Sequence, residues 1–166
     1  MVKRQHRQID PKLDLVLERT LDISAEAAWK GWTTPELICE WFCPKPWKVV
    51  ECEMDLKPGG RFYFVMQSPE GNKIPNLGCF LEVVQGQKLV WTDSLLPGFR
   101  PAAVPESGAG MLFTCLIMFE AVGKQTKYTA IAKHKDEGDK KKHEDMGFHE
   151  GWGICADQLV ELMKQN

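Results

Sequence analysis

No apolar run in this 166-residue chain approaches the roughly 20 residues that a membrane-spanning helix requires, so no membrane association is expected. The stretch from Met1 to Pro11 is polar and basic and has no signal-peptide core, which points to a cytoplasmic protein. No Cys-x-x-Cys pair occurs. The six cysteines (Cys39, Cys43, Cys52, Cys79, Cys115 and Cys155) are scattered, mostly in apolar segments, and read as buried free thiols rather than disulfides or metal ligands. Neither sign of charge dominates. A net charge of −2 argues against nucleic acid or an anionic membrane as a partner. The basic run Lys140-Lys141-Lys142 is flanked by Asp139, Glu144 and Asp145 and reads as a solvated helix face. Catalytic motifs are missing as well: there is no G-x-S-x-G, H-E-x-x-H, P-loop or G-x-G-x-x-G. No cofactor is expected. His134 and His143 with Asp136, Glu137 and Asp139 imitate a metal cluster, but the plainer reading is a polar helix start capped by Asp136 or Asp139, and no metal site is expected.

What is present is ordinary core material with many large rings. The chain is 43% hydrophobic and 27% charged, with six tryptophans and eight phenylalanines. Its length suits one domain, residues 13–166, behind a flexible leader, residues 1–12. Leu13 to Ile23 alternates apolar and polar residues and predicts a first strand. Ser24 is a suitable N-cap for a short helix from Ala25 to Trp32, and Thr34 with Pro35 starts a second, Pro35 to Phe42. Strands are predicted at Trp47 to Leu56, Arg61 to Gln67, Asn76 to Val84, Lys88 to Leu95, Met111 to Ala121 and Thr126 to Lys133. The turns between them are marked by Lys57-Pro58-Gly59-Gly60, Ser68-Pro69-Glu70-Gly71-Asn72, Gln85-Gly86-Gln87 and Gly123-Lys124. Leu96 to Gly110 is the longest irregular piece and reads as a lid or functional loop. Asp139 to Lys164 reads as one long helix with a wide apolar face.

Short connections predict an antiparallel meander, so the fold class is α+β: a curved sheet of about seven strands around a long C-terminal helix, with two short helices between strands 1 and 2. This architecture leaves space between sheet and helix. The glycines Gly78, Gly151 and Gly153 thin the packing there. The residues expected to line an internal pocket are Trp32, Trp41, Phe42, Phe64, Met66, Phe80, Trp91, Asp93, Tyr128, His134, His149, Trp152 and Gly153. His149 is the candidate catalytic or ligand-orienting group, because it sits on the helix face expected to be buried. Asp93 and Glu82 are the carboxylates expected nearby, where burial would shift their pKa values toward acid–base use.

The chain resembles bacterial relatives of the heat-shock protein 90 ATPase activator, within the START-like, birch-pollen-allergen-like (SRPBCC) helix-grip superfamily. The resemblance runs through Arg19, Ile23-Ser24-Ala25-Glu26 before Trp29, Trp32-Thr33-Thr34-Pro35-Glu36 and Trp41-Phe42. It continues through Asp55-Leu56-Lys57-Pro58-Gly59-Gly60-Arg61-Phe62, Gly78-Cys79-Phe80-Leu81-Glu82-Val83, Leu89-Val90-Trp91-Thr92 and Gly151-Trp152. It implies a helix-grip fold enclosing a cavity for a hydrophobic small molecule, and a homodimer through the outer sheet face or the Leu96–Gly110 loop. Three functions follow as expectations: binding of a hydrophobic or amphipathic small molecule, a cyclase or hydrolase using His149 with a carboxylate, and stimulation of a chaperone ATPase.

Overall fold

The computed structural model describes residues 8–104 and 111–165. Most of the expected leader, and the second part of the Leu96–Gly110 loop with any lid it forms, lie outside them. Residues 8–12, expected to fray, are tied to the body. Lys133 Nζ donates to the Gln8 carbonyl at 3.1 Å and Lys140 Nζ to the Pro11 carbonyl at 2.8 Å.

Alternating residues form strand β1 (Asp14–Leu21). Helix α1 (Ala25–Thr33) begins where Ser24 Oγ accepts from the Ala27 amide at 3.1 Å. Thr34 is held extended, as a residue before proline prefers, and Pro35 opens α2 (Pro35–Trp41), so the two helices form a V instead of a rod. Strands β2 (Lys48–Met54), β3 (Arg61–Gln67), β4 (Lys73–Val84), β5 (Lys88–Thr92), β8 (Thr114–Val122) and β9 (Gln125–Lys133) complete one seven-stranded sheet with β1. Its order is β1-β9-β8-β5-β4-β3-β2, antiparallel throughout. The meander expected from the short turns is therefore present, with β1 closing one edge against β9.

Three local expectations are corrected. The segment read as one long helix is two, α3 (Glu137–Asp145) and α4 (Phe148–Gln165). Between them Gly147 adopts φ 90°, a conformation that side chains resist, and its amide bonds the Glu144 carbonyl at 2.9 Å to close off α3. The irregular stretch after β5 begins with a small hairpin, β6 (Leu95–Leu96) and β7 (Arg100–Pro101). Glu82, a carboxylate expected near His149 at the pocket, does not share the inner face with Phe80. The register slips between them at a bulge, which pairs Glu82 with Val90 and turns it to the outer face, where it meets Lys88 at 3.0 Å.

Helix α4 packs across β1, α1 and α2 through Cys155, Ala156, Leu159 and Met163. The approach of α1 is close because Gly31 leaves room for Leu159. The inner face of the sheet supplies Phe62, Phe80, Leu89, Trp91, Cys115, Ile117, Tyr128, Ala130 and Ala132, all at most 6% exposed. Each buried large apolar side chain contributes roughly 1.5–3 kcal/mol, so this layer between sheet and helices is the main source of stability. Among the described residues, no helix is long and apolar enough to cross a membrane. All six cysteines are free.

Candidate functional site

Ten of the thirteen residues expected to line a pocket fall into two groups. Trp32, Trp41, Phe80, Trp91 and Tyr128 are core. Trp32 is fully buried, its ring centroid 4.9 Å from Trp41 and 5.4 Å from Trp91. Its indole Nε1 donates to Tyr128 Oη at 3.2 Å, and Trp41 Nε1 donates to the Gly31 carbonyl at 3.0 Å. These bonds satisfy the polar ends of rings that are otherwise in apolar surroundings. Burial pushes the Tyr128 phenol far up from its usual range, so it stays neutral.

The second group is only partly buried: Phe42, Phe64, Met66, Asp93 and Trp152. Four of these belong to a continuous run of apolar side chains. Phe64, next to Met66 on the inner face of β3, lies 5.2 Å from Phe42, and Phe42 lies 6.2 Å from Trp152. Trp152 continues to Phe148 at 5.4 Å, Phe148 to His143 at 5.2 Å, and His143 to Phe113 at 4.7 Å. The band runs from the β3 side of the sheet, over the end of α2 and the first turns of α4, to the start of β8. Its half-buried members expose ring surface that the core does not cover.

Polar groups gather at the Phe113 end. The Phe113 amide donates to Asp93 Oδ1 at 2.9 Å. Burial, opposed by that bond, pushes the Asp93 carboxyl up to about 6. Just past the end of β9, the His134 ring bonds the Leu13 carbonyl through Nδ1 at 2.8 Å and His143 Nδ1 through Nε2 at 2.9 Å. Burial pushes His143 down to about 4, with the adjacent His134 adding to the effect. Among the residues of α3 only His143 is buried. In sequence it sits in what reads as a polar helix start. The signal that finds it is the glycine at 147, which ends α3 and lets its last turn lean onto the core.

Two expectations about α4 are corrected. His149 is exposed, and its Nε2 bonds the Val16 carbonyl at 3.2 Å on the edge of β1. Gly153, Ala156 and Met163 on the same row of the helix are buried, but His149 lies in the first turn of α4, where the row reaches only the open edge of the sheet at β1. Gly153 is buried, but the space beside it is filled by the Arg19 guanidinium. Gly151 faces Pro44, and Gly78 lets the Thr92 carbonyl come close. These glycines serve close packing. A separate open groove of about 430 Å3 lies between β1 and the C-terminal half of α4. Ion pairs cross it, Arg19 to Asp157 at 3.4 Å and Lys164 to Asp22 at 2.7 Å, and its lining mixes these charged groups with Leu21 and Val160. Among the described residues no cluster of histidine, cysteine and carboxylate side chains has the arrangement of a metal site.

Comparison with solved structures finds the same fold repeatedly. A crystal structure of a protein from Nitrosomonas europaea is 49% identical, covers 95% of this chain and 97% of its own, and superposes with a TM-score of 0.89. A solution structure from Arthrobacter aurescens (19% identity, 96% and 91% coverage, TM-score 0.77) shares the fold. So does an AHSA1-like protein from Aeromonas hydrophila (16% identity, 90% and 94% coverage, TM-score 0.69). No functionally curated protein matches. Residues 22–164 match the family described as "Activator of Hsp90 ATPase homolog 1-like protein". With that match spanning all of the elements from α1 to α4, this helix-grip chain belongs to the Activator of Hsp90 ATPase homolog 1-like family.

Proposed function

We propose that the protein binds a hydrophobic or amphipathic small molecule along the half-buried aromatic band, with the ligand's polar group at the Phe113 end. The observation that carries this reading is the band itself: Phe64, Phe42, Trp152 and Phe113 keep ring surface uncovered while the rings behind them are fully packed. Uncovered apolar area of this kind gains about 25 cal/mol per Å2 when a ligand removes it from water. A few polar groups at one end of an apolar surface are the usual means of orienting a bound molecule. Asp93 and the His134–His143 pair supply them. His149, outside this band, carries no part of the reading. The free thiols support a reducing, cytoplasmic setting.

The test is native mass spectrometry of gently purified protein, followed by tryptophan-fluorescence titration with the ligand it releases. A bound apolar species that perturbs Trp152, and whose affinity drops with Trp152→Ala, supports the reading. Protein that carries nothing and binds no apolar probe sinks it. The family match favours a second reading, stimulation of a chaperone ATPase. A concentration series against a purified heat-shock protein 90 decides it: a saturating rise in ATP turnover supports it, and a flat response removes it.

A further inference from the structure

The His134–His143 pair has a consequence for the kind of ligand, resting on the binding reading above. A backbone carbonyl only accepts hydrogen bonds, so His134 Nδ1, 2.8 Å from the Leu13 carbonyl, carries a proton. In the uncharged pair, a ring that holds its proton on Nδ1 has a lone pair on Nε2. The 2.9 Å contact from that nitrogen to His143 Nδ1 then needs its proton on His143. Burial keeps His143 neutral above about pH 4. Its other nitrogen, Nε2, is therefore left as a bare acceptor.

That nitrogen has a place to act. Among the described residues every buried side-chain nitrogen and oxygen has a hydrogen-bond partner, and His143 Nε2 has none. The atom therefore reaches the molecular surface even though the residue as a whole is 9% exposed. The ring that carries it packs against both Phe113 and Phe148, on the aromatic band. Asp93, held on the Phe113 amide and pushed up only to about 6, is mainly ionised at pH 7.5 and then also only accepts.

We infer that the ligand's polar group at this end is a neutral hydroxyl, which donates its hydrogen bond to His143 Nε2 while the rest of the molecule lies on the aromatic band. A carboxylate would set lone pairs against lone pairs. An ammonium would set a full charge against an uncharged nitrogen, where burial opposes ionisation of both His143 and Asp93 and the Asp93 charge is already held by the Phe113 amide. The ligand class is thus an apolar alcohol or phenol, and the relay from the Leu13 carbonyl through both imidazoles holds the acceptor in place.

The test uses the full-length protein at pH 7.5 and three probes of one size class: 2-naphthol, 2-methoxynaphthalene and 2-naphthoate. Titration calorimetry should give 2-naphthol an affinity at least about five-fold above the methyl ether, with the carboxylate weakest, as expected for one neutral hydrogen bond gained. His143→Phe, which keeps a ring in the aromatic contacts, should erase the difference between naphthol and ether. Long-range proton–nitrogen NMR of the wild-type imidazoles gives an answer independent of any variant. His143 should hold its proton on Nδ1, and Nε2 should shift when 2-naphthol is added. Equal binding of naphthol and ether, or a His143 proton found on Nε2, overturns the hydroxyl assignment and leaves the binding reading standing. Failure of all three probes to bind overturns the binding reading with it.

Discussion

Replacing Gly153 with alanine separates two accounts of helix α4. If the glycine thins the helix to make a pocket wall, a methyl group there should intrude on the ligand. The structure assigns the space differently. The position of the added methyl is occupied by the Arg19 guanidinium, the far end of a flexible side chain that is 42% exposed. Alanine gains about 0.8–1 kcal/mol over glycine in a helix interior. Moving Arg19 aside costs its 3.4 Å contact with Asp157, whose side chain is 74% exposed. A pair that open to solvent is worth about 0–0.5 kcal/mol. The balance is a stabilisation of about 0.5 kcal/mol, or about 1–2 °C in Tm for a chain of this length. Gly31→Ala is the counterpart with opposite sign. Its methyl would meet Leu159, which is fully buried, with Met163 Cγ at 3.5 Å behind it. Overpacking of this kind costs about 1–3 kcal/mol and outweighs the helix gain, for a net loss of about 1 kcal/mol. Urea unfolding followed by far-ultraviolet circular dichroism measures both. A Gly153→Ala protein destabilised by about 1 kcal/mol or more, or one that no longer binds an apolar ligand bound by the wild type, would refute the reasoning.

The remaining predictions concern the two polar clusters. Asp93 is pushed up to about 6 from 3.8, so between those values the folded state holds a proton the unfolded chain has lost, and this group's contribution to stability falls as pH rises. His143 is pushed down to about 4 from 6.5, so over nearly the same window the unfolded chain holds the extra proton and its contribution to stability rises with pH. The two slopes oppose each other in the wild type. Asp93→Asn should expose a stability that rises from about pH 4.5 to 6, and His143→Phe one that falls, each by on the order of 1–2 kcal/mol after allowing for partial exposure. Unfolding free energies at those two pH values check the signs, and slopes of the same sign in both variants would contradict the assignments. Tyr128→Phe should leave the fully buried Trp32 indole N–H without its acceptor and cost about 1–3 kcal/mol in urea unfolding. A loss below about 0.5 kcal/mol would mean that a water or another group replaces the phenol.

The strands, the two short helices and their order follow from local signals: alternation at Leu15 to Leu21, the Ser24 cap, the Thr34-Pro35 break, the turn glycines. Each acts within a few residues, where the pattern of neighbours decides the outcome. The antiparallel meander also follows, because short turns permit little else. What tertiary structure decided is which inward side chains close on each other and which stay open. Trp32 and Trp152 look alike in sequence. One is locked between Trp41, Trp91 and Tyr128, and the other lies half-uncovered on the band. Breaks in regularity explain the rest. The positive φ at Gly147 splits the expected long helix, so the last turn of α3 leans His143 onto the core, while His149, in the first turn of α4, reaches only the edge of β1. One bulge between Phe80 and Glu82 flips a carboxylate to the other face. Periodicity carries a face forward only while the backbone stays regular, and the residues of the candidate site lie where it does not.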